Sequence, residues 1–296
     1  MNQKNILIIL IYLLSFPTYA KDGSIAAADQ NQPANRGNFA LSASQQPGPL
    51  VSFGQNIIDK KELQFFIEPT YLSTTSINYL AATPSLLYGL SDISSLFISL
   101  PAALNYRGDG EHSSGLSDAL FQLEYAFYEG SNSAYTQQAT IVAATTMPTG
   151  SLSKSPPTGA GTPTFFLGTT YNVMFVDWLW FVSPGVYLPT AYKELKQGNE
   201  YLYQFGVDKV IASKENKYII AGMVELNGIY TEKTRFGQHV VPNTGGNIIG
   251  ITPSLWYSTN KFIAQLGLSI PVIQKLNGDQ SKANYVLAFN VTWTIS

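Results

Sequence analysis

The chain has 296 residues, of which 12% are charged and 13% aromatic, with a formal net charge of -2. Ordinary soluble domains carry about 25% charge, so a fold that presents a solvated face everywhere fits poorly. With 0 Cys and 2 His there is no material for disulfides or thiolate metal sites and little for histidine sites; no cofactor is expected, and the lack of a basic run argues against nucleic acid as a partner.

Residues 1–20 have the three parts of a secretory signal peptide. Lys4 supplies the positive end, Ile6 to Phe16 is apolar apart from Ser15, and Thr18-Tyr19-Ala20 offers small residues for cleavage. The apolar run is shorter than the roughly 20 residues a membrane-spanning helix needs. Residues 21–60 are rich in Ala, Gln, Asn and Ser and interrupted by Pro33, Gly37, Pro47, Gly48, Pro49 and Gly54. They form an N-terminal extension or plug before the next domain. Irregular backbone at membrane depth is tolerated only inside protein or a wet cavity, and a loose periplasmic tail is the alternative.

Residues 61–296 read as a single antiparallel up-and-down transmembrane β-barrel, all-β, of about twelve strands. Segments of about ten or more residues alternate apolar with polar or small and are separated by turn signals, the signature of such barrels. Leu63, Phe65, Ile67, Pro69 and Tyr71 share one face, opposite Gln64, Glu68 and Thr70. Ala119, Phe121, Leu123, Tyr125 and Phe127 oppose Gln122 and Glu124. Ile220, Gly222, Val224, Leu226, Gly228 and Tyr230 oppose Glu225 and Asn227, and Phe262 to Val272 repeats the pattern around Gln265 and Ser269. In a strand, successive side chains point to opposite faces, so each segment has one lipid-compatible side. The predicted strands are 62–73, 78–90, 93–106, 118–129, 134–147, 163–174, 177–189, 200–211, 217–230, 247–258, 261–273 and 284–296. Short and long connections alternate, which puts short turns in the periplasm and long loops outside; the short link around Thr74–Ile77 is the misfit.

Aromatics cluster at the predicted strand ends, as interfacial girdles do. Tyr71, Tyr79, Tyr106, Tyr187, Tyr201, Tyr230 and Tyr285 fall at outer ends, and Tyr88, Tyr171, Trp178, Tyr218, Tyr257 and Trp293 at inner ones. A soluble β-sandwich with these aromatics in its core would carry more charge on its exposed faces.

Lys61-Glu62-Leu63-Gln64, with Glu68-Pro69-Thr70-Tyr71 after it, resembles the opening strand of an outer-membrane barrel family labelled phenol meta-pathway proteins, transporter-like barrels. Pro148-Thr149-Gly150 and Gly161-Thr162-Pro163 before Phe165-Phe166-Leu167-Gly168 are similar to the same family. The resemblance covers most of the chain after about residue 37. It implies the barrel and the outer-membrane location; phenol itself is not carried over. Many such barrels end in Phe or Trp, whereas this chain ends Ile295-Ser296.

Four acids, Glu68, Glu124, Asp208 and Glu225, fall on predicted inward faces, since a charge on the lipid face is costly. Lys209 points the other way. The four could line a solute path that favours cations, or serve as polar filling. An enzyme is not expected: His112 and His239 fall in outer loops, away from a wall nucleophile. In the outer loops Arg107-Gly108-Asp109 spells an adhesive tripeptide, and Asp109, Glu111 and Asp118 offer oxygen ligands for a divalent cation; a solvated loop is the plainer account. Pro69, Pro84, Pro101, Pro184, Gly185, Pro253 and Pro271 mark either breaks in the ladder or bulges. The function expected is passive passage of small solutes, including hydrophobic or aromatic ones, across the bacterial outer membrane. The alternative is a non-conducting barrel acting through its loops in adhesion or envelope structure. Expected partners are outer-membrane lipid, the barrel-assembly machinery and the solute.

Overall fold

The computed structural model describes residues 32–54, 56–108 and 110–295; the signal peptide, residues 21–31 and Gln55 of the N-terminal extension, Asp109 and Ser296 lie outside them. The strands are β1 (Leu63–Thr74), β2 (Ile77–Ser91), β3 (Ser94–Ser99), β4 (Ala102–Gly108), β5 (Glu111–Leu116), β6 (Ala119–Ser131), β7 (Tyr135–Met147), β8 (Thr164–Phe175), β9 (Trp178–Pro189), β10 (Leu195–Lys196), β11 (Glu200–Lys214), β12 (Tyr218–Thr231), β13 (Arg235–Phe236), β14 (His239–Val240), β15 (Gly246–Ser258), β16 (Phe262–Leu276) and β17 (Ala283–Ile295). Each wall strand pairs antiparallel with its neighbours, and β1 pairs with both β2 and β17, from Leu63↔Ile295 to Thr74↔Ala283. The sheet therefore closes on itself. With β3 and β4 counted as one interrupted strand, and β5 and β6 as another, the wall has twelve strands.

Closure follows from the sequence pattern. In hydrocarbon every backbone N–H and C=O needs an internal partner, which a closed sheet supplies without edges. The alternation then sorts the side chains. Along β1 every second residue from Gln64 to Thr74 is buried. Along β6, Phe121, Leu123, Tyr125 and Phe127 are exposed while Gln122, Glu124 and Ala126 are buried. In water an exposed belt of this kind would be costly; against lipid it is the stable arrangement. The fold, with its apolar outer belt, is that of a bacterial outer-membrane barrel.

The girdles need one correction. Tyr71, Tyr201, Tyr230 and Tyr285 face outward at the outer rim, with Tyr71 and Tyr285 rings 6.1 Å apart. Tyr79, Tyr106 and Tyr187 are buried and point inward. They lie at the right height but on the other parity of their strands. Trp178, Tyr257 and Trp293 are exposed near the inner ends as expected.

The third and fourth wall strands also depart from expectation. The ladder is interrupted at Leu100-Pro101 and again at Ser117-Asp118. Below the break β3 pairs with β6; above it β4 pairs with β5. Residues 111–116, read from sequence as loop, thus extend the wall outward, and His112 sits on β5 opposite Arg107. Of the prolines, Pro101 lies where the strand itself is interrupted, and Pro271 lies at a register shift beside Gly250. Pro69, Pro84, Pro184 and Pro253 each keep a partner on one side, Ala82, Ile67, Tyr203 and Val224, while the pairing on the other side skips them, so they mark one-sided breaks in the ladder. The short turn after β1 is bridged to the last outer loop, because Ser76 Oγ donates to Ser281 Oγ at 2.8 Å.

A lipid-face charge tests the assignment of faces. Leu123→Arg should destabilise the folded barrel by roughly 2–4 kcal/mol if that residue lies near the bilayer midplane. Urea-dependent folding into vesicles reads this out, and an unchanged midpoint would mean Leu123 does not face lipid.

Candidate functional site

Residues 32–54 and 56–60 form no strand of the barrel, and every backbone polar group they bury needs a partner. The inward side chains of the wall supply those partners. The segment starts at the periplasmic mouth with a 3-10 turn, Gly37–Ala40, where Asn38 N donates to Val176 O at 2.7 Å and Gly37 N to Ser213 Oγ at 2.9 Å. A second turn, Ala43–Gln45, is held by Ser258 Oγ, which donates to Gln45 O at 2.7 Å, and by Gln64 Nε2, which donates to Ser44 O at 3.2 Å. Gln265 Nε2 then donates to Gly48 O at 3.0 Å.

The firmest contact is at Glu225 of β12. Its carboxylate accepts Leu50 N at 2.8 Å and Ser52 N at 2.7 Å, and both oxygens lie within reach of Val51 N. Ser52 Oγ donates to Asn227 Oδ1 at 2.6 Å, and Phe53 N to Gln204 Oε1 at 3.0 Å. The segment then crosses the lumen. Asn56 N donates to Glu124 Oε2 at 3.0 Å, and Ser95 Oγ donates back to Asn56 O. It ends at the periplasmic end of β2, where Lys61 N donates to Gly89 O at 2.8 Å.

Packing reinforces the hydrogen bonds. Phe53 lies against a cross-strand glycine pair, Gly168 and Gly185. A Cβ on Gly168 would come within 2.6 Å of the Phe53 ring, so the wall has a notch where the segment carries its ring. Phe166 meets Phe53 edge-on at 4.9 Å and packs on Tyr187 at 4.5 Å. Leu50 fills a second notch, at Gly267.

All four acids singled out from sequence point into the barrel and are buried. They are distributed around it rather than gathered. Glu225 and Glu124 hold the segment, and Glu124 also accepts Thr140 Oγ1 at 2.7 Å. Glu68 lies beside Ser85, and its Oε2 has no hydrogen-bond partner among the described residues. Asp208 faces the Asn38 side chain near the periplasmic mouth. Lys209 is exposed on the outer surface. The contacts of Gln204, Ser95 and Ser258 and the notch at Gly168 and Gly185 were not singled out from sequence. Gln204 shares the inward parity of Asp208, which was the available signal; Phe53 had none. Among the described residues no cluster of three His, Asp or Glu could hold a metal ion, and His239 sits on β14 in an outer loop.

No known family model matches the chain, and no curated protein resembles it closely in sequence. Among solved structures the COG4313 outer membrane channel from Pseudomonas putida F1 is similar, with a TM-score of 0.67 and 13% identity over 92% of this chain and 100% of that one. The NanC porin overlaps less well, with a TM-score of 0.49 and 11% identity over 78% of this chain and 100% of that one. At these identities the likeness is one of fold. The chain is a closed outer-membrane β-barrel, and its architecture is shared with a known outer-membrane channel.

Removing the Glu225 carboxylate leaves three buried N–H groups without their acceptor, at a cost of ~1–3 kcal/mol for each unpaired group. In a Val51→Cys protein, maleimide labelling in folded barrels should therefore run at least about tenfold faster with Glu225→Ala than without it. Equal rates would show that Glu225 does not hold the segment.

Proposed function

We propose that this barrel passes small solutes passively across the outer membrane along a narrow polar lumen, with the N-terminal segment as a plug that sets its width. The observation that carries this reading is how the segment is held. Its backbone is bound by inward Glu225, Gln204, Gln265 and Glu124 rather than by a continuous sheet. Such contacts can be exchanged for water without tearing the wall. The likeness to a solved outer-membrane channel supports the same reading. Inward acids with outward Lys209 favour cations over anions in the path.

Conductance of the folded mature protein in a planar bilayer, with and without residues 21–58, tests this. Larger steps after deletion are expected. Should the deletion fail to fold, the double substitution Phe53→Ala with Glu225→Ala serves the same purpose. No steps from any folded form would contradict passage and favour a barrel acting through its loops. Glu68→Gln with Glu124→Gln should lower the cation preference seen in the reversal potential, and an unchanged potential would remove the acidic lumen from the account.

One observation favours a second path for apolar solutes, sideways through the wall. Above Ser117-Asp118, among the described residues β5 has only β4 as a strand partner, since β6 meets β7 no higher than Ala119↔Met147. The loop 148–163 lies over this stretch. Asp118 accepts Gly150 N at 2.9 Å and Ala160 N at 2.7 Å, and Ser113 Oγ donates to Pro156 O at 2.6 Å. Side-chain contacts there stand in for a ladder, and they are easier to open. Asp118→Ala should speed entry of an apolar dye into vesicles holding the barrel while leaving ion conductance unchanged; unaltered dye entry would count against the lateral path.

A further inference from the structure

Two long outer loops meet in a small three-stranded sheet, β10-β13-β14, that stands apart from the wall. It rises from the outer rim beside Tyr201 and Tyr230, whose rings lie 6.2 Å apart and face outward, where interfacial tyrosines mark the edge of the hydrocarbon. Thr234 N donates to Thr244 Oγ1 at 2.9 Å and anchors its base. Gly237, at a φ of +57°, turns its tip, and its N donates to Glu194 O at 2.8 Å.

Cross-strand partners share a face. Leu195, Phe236 and His239 lie on one side; Lys196, Arg235 and Val240 lie on the other. Lys196 and Arg235 are therefore directly opposite cations, both exposed, and neither has an acidic partner among the described residues. Like charges directly opposite destabilise a pair of strands. Here they occupy a sheet of only two residues per strand, which has little other stabilisation. Val240 beside them is 51% exposed. Lys193 stands over the Tyr192 ring at 5.3 Å in the same loop as Lys196. Of the acids in these loops, Glu232 accepts the Tyr201 hydroxyl at 3.1 Å, and Glu194 is exposed two residues before Lys196 with no ion pair to it.

An anion placed between Lys196 and Arg235 removes the repulsion, and phosphate matches both an ammonium and a guanidinium donor. On an outer-membrane barrel, the anions that face the rim are the phosphates of the outer-leaflet glycolipid. Basic side chains near an anionic lipid surface are attracted to it. We infer that the face of the β10-β13-β14 sheet bearing Lys196 and Arg235 docks a phosphate of the outer-leaflet glycolipid, with Val240 against its apolar part.

The test titrates folded, detergent-solubilised full-length protein with the bis-phosphorylated glucosamine-disaccharide lipid in mixed micelles, and follows binding by native mass spectrometry. Wild type should bind it, and Lys196→Gln with Arg235→Gln should weaken binding at least tenfold while the barrel keeps its heat-modifiable gel mobility. Lys209→Gln, far from the sheet, should leave binding unchanged. Equal binding by the double variant, or equal binding of the dephosphorylated lipid by wild type, would overturn the inference. Full displacement by millimolar inorganic phosphate would overturn it too, since the site would then be one for free anions.

Discussion

The rest of this structure depends on one constraint: in hydrocarbon no backbone N–H or C=O can be left unpaired. The sheet answers it by closing, with β1 hydrogen-bonded to β2 on one side and to β17 on the other. Closure fixes the parity of each strand, and parity decides which residues meet lipid and which meet the lumen. Leu123 and Phe127 face outward and Glu124 inward because they alternate on one strand of a closed wall.

The size of the closed wall then creates a second requirement. About eight strands enclose a space that wall side chains can fill, and roughly 16 to 18 leave an aqueous channel. Twelve strands fall between, and here the lumen holds the N-terminal segment as well as side chains. That segment carries the same need for backbone partners, met by side chains instead of a ladder. The inward carboxylates acquire a structural duty in consequence. Glu225 and Glu124 grip backbone N–H groups, whereas Glu68 keeps an oxygen without a partner among the described residues. The inward acids that hold the segment are the same ones from which the polar path is proposed.

Much of the wall was legible in the sequence because a strand writes its environment at period two. The predicted segments 134–147, 163–174 and 177–189 lie within a residue or so of β7, β8 and β9 at each end. Where the pattern fails, so did the expectation. Glu111–Leu116 reads as a polar loop because its outer stretch meets water and carries no apolar alternation, yet it is strand. The position of Tyr79, Tyr106 and Tyr187 at strand ends gives only their height, and parity turns them inward. The strands of the outer sheet are two residues long, too short for any period to register. The lumen was legible only in part: inward acids followed from parity, but their partners did not. Glu225 and Leu50 lie 175 residues apart in sequence, and no local pattern announces a contact of that separation. The notch for Phe53 joins glycines on two strands to a ring on neither.

The N-terminal segment occupies the lumen of the folded barrel. The most direct test is a short thiol cross-linker applied to a Leu50→Cys, Gly267→Cys protein folded in vesicles, on a background with 0 native Cys. An intramolecular link is expected in most molecules, with the folded barrel's gel mobility retained. Absence of the link in folded protein, with Leu50→Cys open to a membrane-impermeant thiol reagent from the periplasmic side, would contradict it.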